Sequence, residues 1–134
     1  MAQGLKLQVS DEDDLLVLSS LLQDATVLIG DMAHDPEHNQ FLMVAARHEA
    51  GGNGNHRHLT GINFAGISQV RRKGFFPKDR DDVLNLLAVT PYDAGIEIVF
   101  SGEATIRLEC PAIRVYAADL GEGWHTAFQP DHAD

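Results

Sequence analysis

Alternation of apolar and polar residues with a period of two constrains this chain more than any other feature. It recurs in short segments from about Asp24 to Ala117. Successive side chains of a β-strand point to opposite faces of the sheet, so each segment would place one face on a core and the other in water. The pattern predicts an antiparallel meander. Its clearest examples are Ile96, Ile98 and Phe100, and then Ile106 and Leu108.

The length of the chain predicts a single domain over residues 1–134, because a chain of this size can bury about two thirds of its unfolded surface. Its one cysteine, Cys110, excludes an internal disulfide and is typical of a reducing compartment. The first nine residues lack the apolar block of a signal peptide, and no stretch approaches the roughly 18 apolar residues of a membrane span. We therefore expect a cytoplasmic protein that makes no membrane contact.

The net charge of −10 favours solubility and disfavours non-specific binding to nucleic acids or anionic membranes. The charges are distributed unevenly along the chain. Asp11–Asp14 is a run of acids, and half of the ten Lys and Arg residues fall in one window. The window contains Arg71, Arg72, Lys73, Lys78 and Arg80.

The N-terminal part predicts a strand followed by the one long helix of the chain. Leu5–Val9 alternates and is the predicted strand. Ser10 is a suitable N-cap, because its hydroxyl can accept a hydrogen bond from a free N–H of the first turn. The acids that follow it complement the helix dipole. Leucines at helical spacing extend the helix to about Gln23, namely Leu15, Leu18, Leu21 and Leu22.

Strand patterns and turn signals follow from Ala25 onward. Gly30–Asn39 is a predicted turn region. Parity slips at Ala65–Gly66 and near Pro111 are interpreted as bulges within continuous strands, the second of which would run on to about Val115. Val83–Thr90 fits a strand, with a short helix as the alternative. The predicted strands lie around Val27 and Ile29, then at Gln40–Arg47, Leu59–Arg72, Val83–Thr90, Gly95–Ser101 and Ala104–Glu109. Of these, Gln40–Arg47 is apolar on both faces, which is typical of a central, doubly covered strand.

Two segments lack the composition of a packed core. Gly51–Asn55 is rich in Gly and Asn and predicts a flexible loop, and residues 128–134 predict a disordered tail. Trp124, which lies between the last predicted strand and this tail, is expected to pack the tail onto the core, with a role in binding as the alternative.

These elements predict an α+β, mainly β fold: a curved antiparallel meander or open barrel of about six to seven strands with one N-terminal helix. A pleckstrin-homology-like barrel is the comparison that the strand count suggests, although the predicted helix of this chain is N-terminal.

The order of segments resembles an uncharacterised proteobacterial family of small proteins catalogued as a domain of unknown function. The resemblance covers roughly Leu5 to Trp124. It implies a single-domain cytoplasmic bacterial protein and brings no catalytic residues with it. The segments that carry it are Leu15–Asp24 (LLVLSSLLQD), Leu84–Val89 (LNLLAV), Ile106–Glu109 (IRLE) and Asp119–Trp124 (DLGEGW).

Histidines are the only weak candidates for metal ligands. His48, His56 and His58 lie beside the glycine-rich loop, and three imidazoles that converged across a hairpin could bind zinc. The spacing matches no zinc signature, and histidines in exposed loops are common, so neither a metal site nor a cofactor is predicted.

No catalytic residues are predicted. Cys110 alternates with apolar neighbours, as a buried structural cysteine does. The serines lack a nucleophile-elbow motif, and the glycine loop lacks the residues of a phosphate-binding loop.

The basic-aromatic segment, Arg71–Arg80, is the best candidate surface. Cations interleaved with aromatics can grip a phosphate backbone while the rings stack on bases. The same composition suits an acidic protein partner or an acidic patch on a second copy, and a solvated surface is the third interpretation. The candidate partner-binding residues are Arg71, Arg72, Lys73, Phe75, Phe76, Lys78 and Arg80.

Our leading functional hypothesis is therefore a non-enzymatic protein-interaction module of a bacterial cytoplasm, which binds a protein partner or itself through the basic-aromatic segment. The alternative is a small ligand-binding or metal-dependent enzyme domain with a histidine-lined barrel mouth. Single-stranded nucleic-acid binding is weaker, because the net charge of the chain opposes it.

Overall fold

The computed structural model describes residues 4–48 and 57–121. Within these ranges the chain forms one α-helix and ten β-strands, and a short 3₁₀ turn at Ile29–Asp31 joins the second strand to the third. The elements are β1 Lys6–Val9, α1 Glu12–Leu22, β2 Thr26–Leu28, β3 Met32–Asp35, β4 Gln40–His48, β5 Arg57–Ala65, β6 Gln69–Lys73, β7 Val83–Tyr92, β8 Gly95–Phe100, β9 Ala104–Glu109 and β10 Val115–Asp119.

The strands form one open antiparallel sheet. Its order is β1-β10-β5-β4-β2-β7-β8-β9-β6, and β3 pairs with β4 off this path. This confirms the predicted α+β, mainly β fold and its open form. The predicted number of strands, six to seven, was too low, since the described residues form ten.

Two predicted strands are each divided between distant parts of the sheet. The segment Leu59–Arg72 is not one bulged strand, because β5 pairs with β4 and β10 whereas β6 pairs with β9. Gly66, at φ 72°, lies in the break between them. The predicted strand across Pro111 likewise separates into β9, beside β8 and β6, and β10, beside β1 and β5. The parity slips therefore mark where the chain crosses from one part of the sheet to another.

A strand within the predicted turn region accounts for part of the miscount. Met32–Asp35 pairs with β4 over four residues, from Met32 opposite Met43 to Asp35 opposite Gln40. The segment Met-Ala-His-Asp has no apolar alternation, and the Asp35-Pro36 turn signal follows it directly. The local sequence pattern therefore did not predict that this segment is a strand paired with β4.

The helix agrees with its prediction except at its first residue. Asp11, not Ser10, is the N-cap, and its Oδ1 accepts a hydrogen bond from the N–H of Asp14 at 2.8 Å. Both residue types cap well, so composition could not distinguish them. The helix buries Leu15, Leu18 and Leu22 and ends where the leucine stripe predicts.

The core lies between α1 and one face of the sheet. Phe41 and Phe64 are both fully buried, and their ring centroids are 6.1 Å apart. Val83–Tyr92 is a strand, so the helical alternative for this segment was wrong. The predicted hairpin of β8 and β9 is present, with Gly102 and Glu103 at positive φ in its turn. β4 is central, since β5 lies on one side of it and β2 and β3 on the other.

The predictions for Gly51–Asn55, residues 128–134 and Trp124 lie outside the described residues. In the described part of the chain, no helix combines the length and apolarity needed to cross a membrane.

Candidate functional site

β6 is an edge strand that carries three consecutive cations. It stands last in the sheet order, and among the described residues its backbone pairs only with β9. Half of the N–H and C=O groups of an edge strand point away from its neighbour. Arg71, Arg72 and Lys73 are therefore presented beside backbone groups that the described chain leaves unpaired.

The register of β6 on β9 decides which face each cation joins. Val70 lies opposite Leu108 and packs against the core. Arg71 lies opposite Arg107, and Lys73 lies opposite Thr105, so these pairs lie on the outer face of the sheet. Arg72 has the same parity as Val70 and lies at the exposed end of that face.

An open groove of about 540 Å³ lies beside this edge, and its lining extends from β6 across β9 to Glu97 on β8. Four cations and two carboxylates border it, so its lining is formally positive. The lining residues are Arg71, Arg72, Lys73, Glu97, Glu103, Thr105 and Arg107. We call it the basic groove.

Ion pairs neutralise only part of this lining. The Nε of Arg107 lies 3.1 Å from an oxygen of Glu97, and the Nε of Arg71 lies 2.9 Å from an oxygen of Glu109. Within the described ranges, Arg72 and Lys73 have no carboxylate within ion-pair distance. These two cations are the ones that an incoming anion could neutralise.

Arg72 is exposed, but the protein around its guanidinium removes part of its solvation. The pKa of its guanidinium is lowered because burial penalises the charged form. The guanidinium of an arginine nevertheless remains charged near neutral pH. A carboxylate placed next to Arg72 would therefore meet a cation that is already partly dehydrated, and such pairs are less screened by solvent.

The aromatic residues of the basic-aromatic segment lie elsewhere. Phe75 is half-buried against the core, whereas Phe76 is 66% exposed. Both border a second cavity of about 370 Å³, together with Asp79 and Asp82. The chain turns away from β6 at Gly74, whose φ is 87° and whose α-carbon lies so close to β9 that a Cβ would overlap the carbonyl oxygen of Glu103.

The remaining two cations of the segment do not join the groove either. Arg80 donates a hydrogen bond from its guanidinium to the carbonyl of Gly30 at 3.2 Å, and its own carbonyl accepts from the N–H of Gly30 at 2.9 Å. Lys78 is exposed and borders neither cavity.

The structure thus brings together three of the seven predicted partner-binding residues, Arg71, Arg72 and Lys73. It adds Arg107 and Thr105 of β9, which the sequence analysis did not consider. Their alternation with Ile106 and Leu108 indicates an outward position, but nothing local indicates that β9 lies beside β6. Among the described residues, no aromatic side chain borders the basic groove, so the stacking platform expected for single-stranded nucleic acid is not assembled there.

Of the three histidine candidates, the structure gives the strand register of His48 and His58. The register places His58 opposite Arg47 and His48 opposite Arg57, so the two histidines are not cross-strand partners. His56 lies outside the described residues. The Nδ1 of His58 lies 3.9 Å from Oδ2 of Asp119.

A largely buried polar cluster lies at this end of β4, β5 and β10. Oδ2 of Asp119 accepts from the guanidinium of Arg47 at 2.7 Å and from the N–H of Leu5 at 2.9 Å. Thr60, which is fully buried, donates to Oδ1 of Asp119 at 2.7 Å and accepts from Nε of Arg47 at 3.1 Å. The pKa of Asp119 is lowered: burial raises it, but the hydrogen bonds from Leu5, Thr60 and Arg47 and the charge of Arg47 outweigh that effect.

Two other groups of reactive side chains have ordinary structural explanations. Asp35, Glu37 and His38 lie close enough to hold a metal ion, but Nδ1 of His38 is hydrogen-bonded to Asp35 at 2.8 Å in an exposed turn. Burial raises the pKa of the half-buried Cys110 thiol, which opposes its activation as a nucleophile.

Comparison with known proteins gives a family and no activity. The family model described as "Protein of unknown function (DUF2948)" matches residues 5–132, which confirms the resemblance to an uncharacterised family. No curated protein and no solved structure matches the chain.

Proposed function

Since the chain belongs to DUF2948, a family of proteins of unknown function, we propose a function from its own surface: it is a non-enzymatic interaction module that binds an acidic segment of a partner protein in the basic groove. The observation that carries this proposal is a pair of cations on an edge strand, Arg72 and Lys73, for which residues 4–48 and 57–121 supply no ion-pair partner.

Charge complementarity favours a protein segment as the occupant. Carboxylates opposite the two cations would form charge-assisted hydrogen bonds, and planar guanidinium groups bind carboxylates through two parallel hydrogen bonds. Nucleic acid is the less favoured occupant, because its phosphates would continue beyond the groove and meet a protein of net charge −10. A short acidic segment needs to occupy only the groove.

We assign this interaction to the cytoplasm. Cys110 is the one cysteine of the sequence, which suits a reducing compartment. The interaction needs no cofactor, since it uses only side-chain charge and backbone groups.

The proposal is tested with a fluorescein-labelled acidic peptide, Thr-Thr-Glu-Glu-Glu-Val-Thr-Thr, and a control peptide in which Lys replaces each Glu. Fluorescence anisotropy measures binding to the wild-type protein and to two double variants. The first variant, Arg72→Glu/Lys73→Glu, leaves the Arg71–Glu109 ion pair in place. The second, Lys6→Glu/Arg114→Glu, alters exposed cations outside the groove and changes the net charge from −10 to the same −14.

We expect the acidic peptide to bind the wild type and the control variant with similar affinity. We expect it to bind the groove variant at least tenfold more weakly, since opposite charges become like charges. Equal weakening in both variants would show that only net charge matters, and tighter binding of the Lys peptide would reverse the assigned partner. Either result overturns the proposal.

A further inference from the structure

We propose that the acidic segment binds as an additional antiparallel strand along β6, an inference that rests on the proposed function and deepens it. The partner would then be an extended acidic peptide, recognised by its backbone as well as by its carboxylates. Addition of a strand to a sheet edge is a recurrent way for a folded domain to bind a peptide.

The backbone of β6 has the form that strand addition requires. Its five residues, Gln69–Lys73, pair continuously with β9, so the strand is extended along its whole length. In the described part of the chain, no other backbone group bonds to these five residues. An added strand would lie about 4.8 Å beyond β6 and would pair with its outward-facing N–H and C=O groups.

The side chains of β6 predict the composition of the added strand. Directly opposed residues of an antiparallel pair lie on the same face with their Cβ atoms about 5 Å apart. Residues opposite Arg71 and Lys73, on the outer face, and opposite Arg72, on the other face, would therefore be acidic, and a residue opposite Val70 would be apolar. Read in the antiparallel direction, the favoured segment is three acidic residues followed by an aliphatic one.

The proximity of directly opposed side chains also disfavours a second copy of this chain as the added strand. Antiparallel pairing of β6 with itself, centred on Arg71 or Arg72, would place guanidinium groups of the two copies opposite one another. Like charges directly opposed destabilise a strand pair. Cations on an edge strand are a common protection against such self-pairing, so at β6 they would select an acidic strand and reject a copy of itself.

N-methylation of alternate peptide residues distinguishes binding by strand addition from binding by charge attraction alone. The N–H groups of alternate residues in a strand point to the same side. We therefore compare the acidic peptide Thr-Thr-Glu-Glu-Glu-Val-Thr-Thr with two N-methylated versions of it. One is methylated at the odd-numbered residues and the other at the even-numbered residues. Neither modification changes the charge of the peptide, and the binding assay is the same.

We expect one methylated peptide to bind at least tenfold more weakly than the unmodified peptide, because its methyl groups replace the N–H groups that face β6. We expect the other to bind within about twofold of it, because its methyl groups face solvent. In hydrogen exchange, amides of residues 69–73 should gain protection on binding of the unmodified peptide.

The remaining outcomes overturn strand addition in distinguishable ways. If both methylated peptides bind as well as the unmodified one, binding depends on side-chain charge alone and the proposed function stands without this mechanism. If both lose affinity equally, methylation acts on the free peptide rather than at one edge. If the unmodified peptide does not bind, the proposed function fails as well.

Discussion

At the scale of single residues, Asp119 shows how one carboxylate can join several strands. It stands at the end of β10 and accepts hydrogen bonds from the N–H of Leu5 before β1, from Thr60 on β5 and from Arg47 on β4. Its side chain is 9% exposed and that of Arg47 is 13% exposed. Removal of one of these two charges would therefore leave the other largely buried without its opposite charge, which is costly.

We predict that Asp119→Asn lowers the free energy of unfolding by about 3 kcal/mol, because it leaves the Arg47 charge uncompensated. Urea denaturation at pH 7 measures the change. Asp81→Asn, at an exposed aspartate that makes no described hydrogen bond, is the control and should change stability by less than about 0.5 kcal/mol. A loss at Asp119 no larger than in the control would contradict the structural role of the cluster.

The lowered pKa of Asp119 also predicts how its contribution depends on pH. The pKa in the folded state lies below the usual aspartate value of 3.8, so the carboxylate stabilises the fold fully at pH values well above 3.8. This stabilisation is lost as the pH falls through the folded-state pKa. The difference in unfolding free energy between wild type and Asp119→Asn should therefore shrink from about pH 5 downward. Urea titrations at several pH values measure it, and a constant difference down to pH 3 would refute the prediction.

At the scale of elements, close backbone approach and hydrogen bonds between elements hold β6, β9, α1 and β7 in place. Gly74 brings the chain against the backbone of β9 directly after β6. On the other side of the fold, the hydroxyl of Ser19 on α1 accepts a hydrogen bond from the N–H of Val89 on β7 at 2.8 Å. Each contact joins elements that are distant in sequence or separated by a sharp turn.

Gly74→Ala should destabilise the protein more than Gly102→Ala does. Both glycines have positive φ, at 87° and 75°, so both substitutions incur the cost of a left-handed conformation, about 1 kcal/mol. A Cβ at Gly74 also meets backbone of Glu103 and Ala104, whereas a Cβ at Gly102 meets nothing within 4 Å. Urea denaturation of the two variants compares them directly. If both variants lost the same free energy of unfolding, the backbone around Gly74 would have to accommodate a Cβ without measurable strain, which would contradict the prediction.

Ser19→Ala should lower the free energy of unfolding by about 1–2 kcal/mol, because the N–H of Val89 would lose its acceptor in a partly buried position. Ser20→Ala, one residue further along the helix and exposed, is the matched control and should be close to neutral. Thermal unfolding of both variants measures the difference. If Ser20→Ala costs as much as Ser19→Ala, the effect arises from helix propensity and not from the contact with β7.

At the scale of the whole molecule, the protein is acidic, yet its described residues form the basic groove. The net charge is −10, yet four cations border the edge of β6 and β9. A field of this kind repels anions in general and attracts them at one place, so it favours small acidic groups over extended polyanions.

Salt dependence tests this distribution of charge. Binding of the acidic peptide to the basic groove should weaken several-fold between about 0.02 M and 0.5 M NaCl, because the Debye length falls from roughly 20 Å to 4 Å. Binding to the Arg72→Glu/Lys73→Glu variant should instead become slightly tighter with salt, since repulsion is screened. Anisotropy titrations at four salt concentrations measure both trends. Affinity for the wild type that is independent of salt would contradict an electrostatic site.

The sequence by itself determined what depends on neighbouring residues. Alternation identified β8, β9 and the mainly β class, whereas for β7 it left a short helix as an alternative. The leucine stripe identified α1, and the clustering of Arg71, Arg72 and Lys73 identified part of the candidate site. Each of these signals arises from periodicity or composition within about ten residues of chain. The period of the apolar residues indicates whether a segment is a helix or a strand, because it matches the period of the side chains in that element.

Only the tertiary structure decided which strands lie side by side. The crossing at Gly66, the pairing of β6 with β9 and the strand at Met32–Asp35 depend on contacts between distant segments. The same is true of the separation of Phe76 from the cations before it, which one turn at Gly74 causes, and of the cluster around Asp119. Strand pairing depends on how all the strands and α1 pack together around the core. A local sequence pattern predicts that a segment is a strand, but it does not predict which distant strand lies beside it.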